Sequence, residues 1–559
     1  MTQRFMTSKM RKGALGILAP VACLALLTQC DDFLETQPFG TLNTGTFYTT
    51  ARDFEAATIG AYSTLQNLTY AGRGASLFEL ALRPDDDVRS PGSNADNDFS
   101  WTASTGSSSY IWNVAYRAVL RSNLILQQLE QADQLTPEQK ARFAGEAKFV
   151  RAYFYFILAR YWGTPPVITQ VATSPSETRP SNSQPGEVWN LIEQDLTDAI
   201  AGLAGLQLET GRANEWAARA LLGKVRIYRA QWGQGDAAIL GGTSPTAKYQ
   251  QAITPLQEIV NSGRYELVPY RNNFDYRTEN NRESIFELQA SFGTDINGWA
   301  AVDENGGGAS SGTGRHLATG ASGGPGGATA PGGFDWGDGG VVVAPTLVNA
   351  FETYGTRTVP LPQDPTKTVE VTIRDPRAYW TFYSTGEEYG RVCPAAASGT
   401  PAPYNFRWRC ESGNLVVGDM ALWSVTGHTP AKYIRPYENF AGGQNQNQSV
   451  SLNNERLIRY ADVLLLLAEA RLLGNNDVAG AAALINQVRA RARDAWESVY
   501  GPQSPDAALY GVVNRPANLL EDRPAGASVP QMHAWLRQER RVEMALELYR
   551  WDDLARWLR

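Results

Sequence analysis

Residues 136–163 read TPEQKARFAGEAKFVRAYFYFILARYWG, and this stretch decides the fold class. Thr136, Pro137, Glu138 and Gln139 open it as a capping box with proline at the first helical position. Phe143, Ala147, Val150, Phe154, Ile157 and Tyr161 then recur at helical spacing and make an apolar stripe. The same signal repeats on both sides. Phe54, Ala57, Ala61, Leu65 and Leu68 form an earlier stripe, and Ile111, Trp112, Ala115 and Val119 another. Val188, Ile192, Leu196, Ala199 and Leu203 form a later one, followed by Ala217, Leu221, Val225 and Tyr228. A further helix is expected over residues 247–262, kinked at Pro255 and ended by Gly263. Helices of this length on short polar connectors read as stacked pairs like tetratricopeptide repeats, although no segment carries that repeat's full consensus.

Beyond residue 290 the pattern breaks. Residues 291–340 are dominated by Gly, Ser and Ala, including GASGGPGGATAPGGFDWGDGG, and such a composition packs no core, so a long loop is expected. Residues 369–373 and 414–417 read as short strands. Helices then return through Leu457, Tyr460, Leu464 and Leu467, with Gly474 as the expected stop. Asp477 is placed to cap the next helix, through Leu484, Ile485 and Val488, and a last helix is expected from 531 to the end.

With 559 residues, 43% hydrophobic and 19% charged, the chain can bury a large core as three to four domains or one layered unit. A net charge of -7 and the lack of any long Lys/Arg run argue against nucleic acid, whose phosphates need a basic face. Arg4, Lys9, Arg11 and Lys12 precede an apolar run at residues 13–27, an export signal too short to span a bilayer comfortably. That run ends at Leu27, Thr28, Gln29 and Cys30, which resembles the lipobox of bacterial lipoproteins. The resemblance implies that Cys30 is acylated and becomes the first mature residue, while Asp31 and Asp32 resemble a surface-export signal. Lipidation of Cys30 and loss of Cys23 with the leader leave Cys393 and Cys410 as a candidate disulfide, with two unpaired thiols as the alternative.

Taken in order, a set of fragments resembles the SusD/RagB family of outer-membrane nutrient-binding lipoproteins. Near the start these are Asp32, Phe33, Leu34, Glu35 and Pro38, then Phe47 and Tyr48. In the middle come residues 145–154 (GEAKFVRAYF), Tyr161, Trp162, Gly163, Pro165, Pro166, Gly211, Arg212 and Ala213. Later matches are Asp375, Pro376, Arg377, Lys432, Tyr433, residues 458–464 (IRYADVL), Ala468, Glu469 and Ala470. The closing ones are Ile485, Asn486, Val488, Arg489, Glu539, Arg540, Glu543, Glu547, Arg550, Asp553, Arg556 and Trp557. Leu548 stands where the resemblance expects glycine. The resemblance implies a mostly α fold in which tetratricopeptide-like helix pairs form a scaffold, with an irregular loop-rich region and a few short strands. It also implies a leader at 1–29, a SusD-like helical region at 30–290, the Gly-rich loop at 291–340 and a C-terminal SusD/RagB region at 341–559. Glu146, Arg151, Glu469, Glu539, Arg540 and Arg550 lie on helices that carry apolar stripes, so they read as paired charges fixing how helices pack.

Signs of catalysis are few. His316, His428 and His533 stand alone, and no metal-ligand or phosphate-loop motif occurs, so neither metal nor cofactor is implied. Gly320, Ser322 and Gly324 match a nucleophile-elbow pattern, but inside low-complexity sequence where no strand and helix flank it. Asp85, Asp86 and Asp87 fit no calcium loop and read as a solvated turn, with Asp85 and Asp86 kept as ligand candidates. Aromatic rings are abundant: 15 Trp, 24 Tyr and 19 Phe. Sugar C–H faces stack on such rings, and a few polar groups beside them complete a small-ligand site. Trp101, Trp299 and Trp336 lie in polar or Gly-rich surroundings where no helix stripe claims them, and are the candidate ligand platforms; Trp112 reads as core. The expectation is a lipid-anchored, surface-exposed outer-membrane lipoprotein, not an enzyme, that passes glycan to a TonB-dependent SusC-like transporter. Capture of peptides or other oligomers is the alternative, ahead of a hydrolase or a plain scaffold.

Overall fold

The computed structural model describes residues 47–69, 77–81, 84–89, 99–102, 106–289, 342–361, 364–384, 410–411, 414–415, 428–430, 432, 454–502, 504 and 511–558. The chain divides into two compact units, Met1–Thr49 and Thr50–Arg559, and every element named here lies in the second. In chain order these are α1 (Ala51–Thr69), α2 (Leu77–Ala81), β1 (Val88–Arg89), α3 (Gly106–Leu129), α4 (Pro137–Trp162), α5 (Glu187–Leu203), α6 (Glu215–Trp232) and α7 (Pro245–Asn261). Next come β2 (Ser284–Leu288), β3 (Val342–Val343), α8 (Pro345–Val348), β4 (Thr353–Leu361), β5 (Asp364–Arg374), α9 (Pro376–Thr381) and β6 (Phe382–Ser384). The remainder are β7 (Cys410–Glu411), β8 (Asn414–Leu415), β9 (His428–Pro430), β10 (Glu455–Arg459), α10 (Tyr460–Asn475), α11 (Val478–Asp494), α12 (Trp496–Tyr500), α13 (Val529–Glu543) and α14 (Arg550–Trp557).

The capping box at Thr136 forms: its hydroxyl accepts from Gln139 N, and Gln139 Oε1 accepts from Thr136 N. Helix α4 is buried on nearly every side between Phe143 and Ala159, as a central helix must be. Successive helices pack on one another, α3 on α4, α4 on α5, α5 on α6 and α6 on α7, and α7 then packs on α10. The scaffold is thus a run of tetratricopeptide-like pairs. Helices α4 and α5 meet almost backbone to backbone at Gly202, where a Cβ would lie 2.5 Å from Ala141 O. The connector 163–186 is not one of the short ones expected, and it is pinned to the helices. Tyr155 Oη takes a hydrogen bond from Ile168 N and donates to Ile168 O, while Tyr116 Oη donates to Pro166 O.

Of the elements after the Gly-rich segment, α10 packs into the helical scaffold, while β4, β5 and α12 build a hydrophobic cluster of their own. Strand β10 pairs antiparallel with β2, Ile458 opposite Phe286, and β4 pairs with β5 as a long hairpin. The expected strand at 369–373 is therefore one part of β5, and that expected at 414–417 is the two-residue β8 as far as the described residues reach. Gly474 does not stop α10. It lies inside the helix against Gln250 N, and Asn476, left-handed at φ 53°, ends it; asparagine adopts that conformation at low cost. The expected last helix is two helices. Between α13 and α14 the chain turns through Leu546 and Leu548, with φ of 63° and 68°. That accounts for the glycine expected at 548, since the position is left-handed and leucine occupies it under strain.

Charges bind these layers together. Arg459, fully buried, donates to Glu547 Oε2, Glu283 Oε1 and Glu543 Oε1, each at 2.7 Å. Arg377 pairs with Asp375, Glu539 and Glu543, Arg489 with Glu539 and Glu352, and Lys432 with Glu547. A second cluster links Lys224, Asp462, Arg540, Asp553, Arg556 and Glu469. The charges read as packing devices are paired in this way, Glu146 with Arg212 and Arg151 with Asp195 included.

Burial raises some carboxyls above their usual range, Glu279 among them. Burial pushes Glu279 up to about 7, aided by the charge of Glu287 and opposed by the N–H of Asn454. A carboxyl with a raised folded pKa contributes stability below its usual value of 4.5, and loses it as pH rises through 7. Glu279→Gln should therefore melt like the parent at pH 4 and above it at pH 8. A gap between the two melting temperatures that does not widen with pH would refute this assignment.

Candidate functional site

The last helix is inverted in polarity. Its buried residues are Asp552, Asp553 and Arg556, held by Arg160, Arg540 and Glu469; its two tryptophans are half-buried, Trp557 donating its indole N–H to Glu469 and Trp551 lying on another side. Trp551 meets two further rings there. Its ring centroid lies 5.8 Å from that of Phe99 and 6.0 Å from that of Trp101, and Phe99 and Trp101 are 5.4 Å apart, nearly perpendicular. These spacings suit edge-to-face ring contacts. Phe99 is 56% exposed. Its φ is 54°, a left-handed conformation that costs a bulky residue about 1–2 kcal/mol. An aromatic ring kept outside the core on a strained backbone is a mark of use rather than of packing.

The acidic turn lies beside this corner. Asp85 is buried, and its Oδ1 accepts from Asp87 N and Val88 N, so it shapes the turn instead of facing solvent. The run is turn-forming as read from the sequence, but Asp85 and Asp87 are buried where solvation was expected. Asp86 is the outward one, its side chain 42% exposed and bonded to Arg550 at 2.5 and 2.7 Å. Burial works against its charge, but the Arg550 hydrogen bonds and the charges of Arg541 and Arg550 outweigh this and hold it below the usual range. Burial pushes Asp87 up to about 6 against the pull of Arg541 and Arg550. Arg550 precedes Trp551, so this ion pair and the three rings share one corner.

Trp112 belongs to a neighbouring group. Ile111, Ala115 and Val119 are buried as its stripe requires, yet Trp112 is only partly so, edge-on to Trp162 at 5.4 Å and tilted against Tyr116 at 4.9 Å. Of the other sequence candidates, Cys30, Trp299, Trp336 and Cys393 lie outside the described residues, and Cys410 starts the short strand β7. Among the described residues no group of His, Cys, Asp and Glu is arranged to hold a metal, and no helix is long and apolar enough to cross a membrane. His428 packs on Phe382, and burial with the charge of Arg374 lowers it to about 4. Phe99 and Trp551 were missed in the sequence. The signal for Trp551 was present: an aromatic on a helix whose 3.6-residue face at 552, 553 and 556 carries only charges.

Two family models match. Residues 283–559 match the SusD family, and residues 33–228 match a family described as starch-binding and associating with the outer membrane. The chain belongs to the SusD/RagB family. A SusD-like protein of Bacteroides ovatus is 29% identical over 293 residues, 51% of this chain and 50% of the relative, so the chain spans about half that relative's length. SusD-like protein P2 of Formosa agariphila is 25% identical over 545 residues, covering 96% of this chain and 89% of the relative. Among solved structures, a laminarin binding SusD-like protein superposes with a TM-score of 0.60 at 23% identity, over 90% of this chain and 91% of that one. At that identity the likeness speaks for the SusD fold alone.

Proposed function

We propose that this SusD/RagB chain is a surface lipoprotein of the outer membrane that binds glycan and delivers it to a TonB-dependent SusC-like transporter. The observation that carries the reading is the corner formed by Phe99, Trp101 and Trp551 beside the Asp86–Arg550 pair. Rings offer a face to the C–H side of a sugar, and the ion pair offers donors and acceptors to its hydroxyls. The starch-binding description of the N-terminal family and the laminarin-binding solved relative support the ligand class. Trp299 and Trp336 are proposed to add further platforms from the Gly-rich loop. Binding is favoured over hydrolysis because the nearby carboxylates are already engaged, Asp85 by backbone and Asp86 and Asp87 by arginines. A glycan and peptide array probed with the soluble mature chain tests this: glycan spots are expected, and binding to peptides alone would overturn it.

Anchoring is proposed through Cys30. Two or more acyl chains hold a protein at a bilayer firmly, so Cys30→Ala should abolish acyl labelling and move the protein from the membrane fraction to the soluble one. Retention with labelling unchanged would remove the lipoprotein assignment. Cys393 and Cys410 are proposed to pair, closing a short loop worth about 3 kcal/mol on the chain-entropy estimate. Thiol titration of the unfolded, unreduced mature chain should then find no free thiol; two would refute the pair.

A further inference from the structure

At the far end of α6 from the aromatic corner lies a cavity of about 220 Å³, enclosed by the loop 206–214, the residues after α7 and strand β2. Gln231, near the C-terminal end of α6, bonds Arg556 of α14, whereas the cavity is lined by Glu215 and Trp216 at the helix's start. The intervening helix is about 24 Å long at 1.5 Å per residue, so the two places cannot share one small ligand.

The lining is mostly polar, with Trp216, Tyr265 and Phe286 as its aromatic members. The guanidinium carbons of Arg219 and Arg264 lie 5.6 and 5.8 Å from the Trp216 ring centroid. Most of the charged groups are already engaged, while Arg264 lies over the Trp216 ring and Glu209 stands mostly in solvent. Glu215 accepts from Gly205 N and pairs with Arg219, while Glu287 pairs with Arg456 and accepts from Asn280 N. Arg212 donates through Nε to Glu146 and through Nη1 to Glu55. Its Nη2 is left over. The Arg212 side chain is 8% exposed and lines the cavity, and among the described residues its Nη2, itself shielded from water, has no hydrogen-bond partner. A buried donor without a partner costs about 1–3 kcal/mol, a cost that a ligand oxygen would remove. Engaged ion pairs offer little to a ligand with net charge, while a spare N–H, the Thr210 hydroxyl and an indole wall suit a neutral polyhydroxyl ring. The volume lies below the roughly 300–1,000 Å³ of drug-sized pockets, which limits the occupant to a sugar unit or two.

We infer that this cavity is a second saccharide site, taking a short neutral sugar independently of the aromatic corner. The inference extends the glycan-binding reading, and its test separates the two. The full-length chain, labelled with fluorotryptophan and held in a sugar-free detergent, is titrated with maltose, cellobiose and laminaribiose. Fluorine NMR follows Trp216 and Trp551, assigned by single Trp→Phe variants. The expected result is that at least one disaccharide shifts Trp216. Thr210→Phe, which plugs the mouth from an exposed loop position, should abolish that shift and leave Trp551 unmoved or still responsive. Trp551→Ala should leave the Trp216 shift intact. A shift at Trp551 with none at Trp216 would overturn the second site and keep the first. A shift at Trp216 alone, lost in Thr210→Phe, would keep the second site and overturn the corner. No shift at either would overturn both.

Discussion

Replacing Arg459 with methionine should lower folding stability by about 3–5 kcal/mol, the range found when one member of a buried ion cluster is removed. Arg459 is fully buried and serves Glu283, Glu543 and Glu547 at once. Methionine fills much of the volume but leaves three carboxylates with less counter-charge, and the loss is mainly the cost of keeping them dry. Lysine should rescue little, since one ammonium cannot reproduce the planar fork that reaches three acids. Arg282→Met supplies the comparison, because Arg282 and Glu266 form an ion pair with side chains 57% and 52% exposed, a class worth about 0–1 kcal/mol. Urea denaturation measures both. A loss below about 1 kcal/mol for Arg459→Met would mean that water or rearranged neighbours satisfy the acids.

Trp551→Ala should weaken glycan binding by about 1–3 kcal/mol, roughly five- to 150-fold in Kd, if its ring acts as other aromatic platforms do. Trp101→Ala should fall in the same range, and the pair should be less than additive because the rings touch. Stability should change little, since the face of α14 that faces inward is Asp552, Asp553 and Arg556. Calorimetric titration with the strongest array glycan, beside a thermal melt, reads both effects. Binding equal to the parent in both variants would place the site elsewhere. Binding lost only in step with the melting temperature would make these rings part of the core.

Much of the scaffold was readable because it rests on local rules. Thr136 and Gln139 cap α4, Asp477 caps α11 by accepting from Gly480 N, and Gly263, at φ 64°, follows the end of α7. What escaped depends on partners distant in sequence. Nothing near Gly474 says that Gln250 will pack on it and let α10 run on, nor that the break at 544–549 will divide the last helix. The site divides in the same way. Trp101 was legible as a ring that no stripe claims. Phe99 sits two residues away but joins it only because a positive φ turns the loop back, and Trp551 arrives from the other end of the chain.

The buried charges also set the order in which this protein can fold. Arg160 finds its counter-ion in Asp552, Glu469 finds Arg556, and Asp86 finds Arg550 across 464 positions. A chain delivered N-terminus first holds Arg160 without its counter-ion until Asp552 arrives, and a helix end cannot close over a bare charge. Long loops must therefore be closed before the contacts reward them, which slows folding. The Arg160 end of α4 waits for the rest of the chain, and the final turns act as its latch. Under the export proposed above, that lateness would keep the polypeptide threadable for as long as threading lasts.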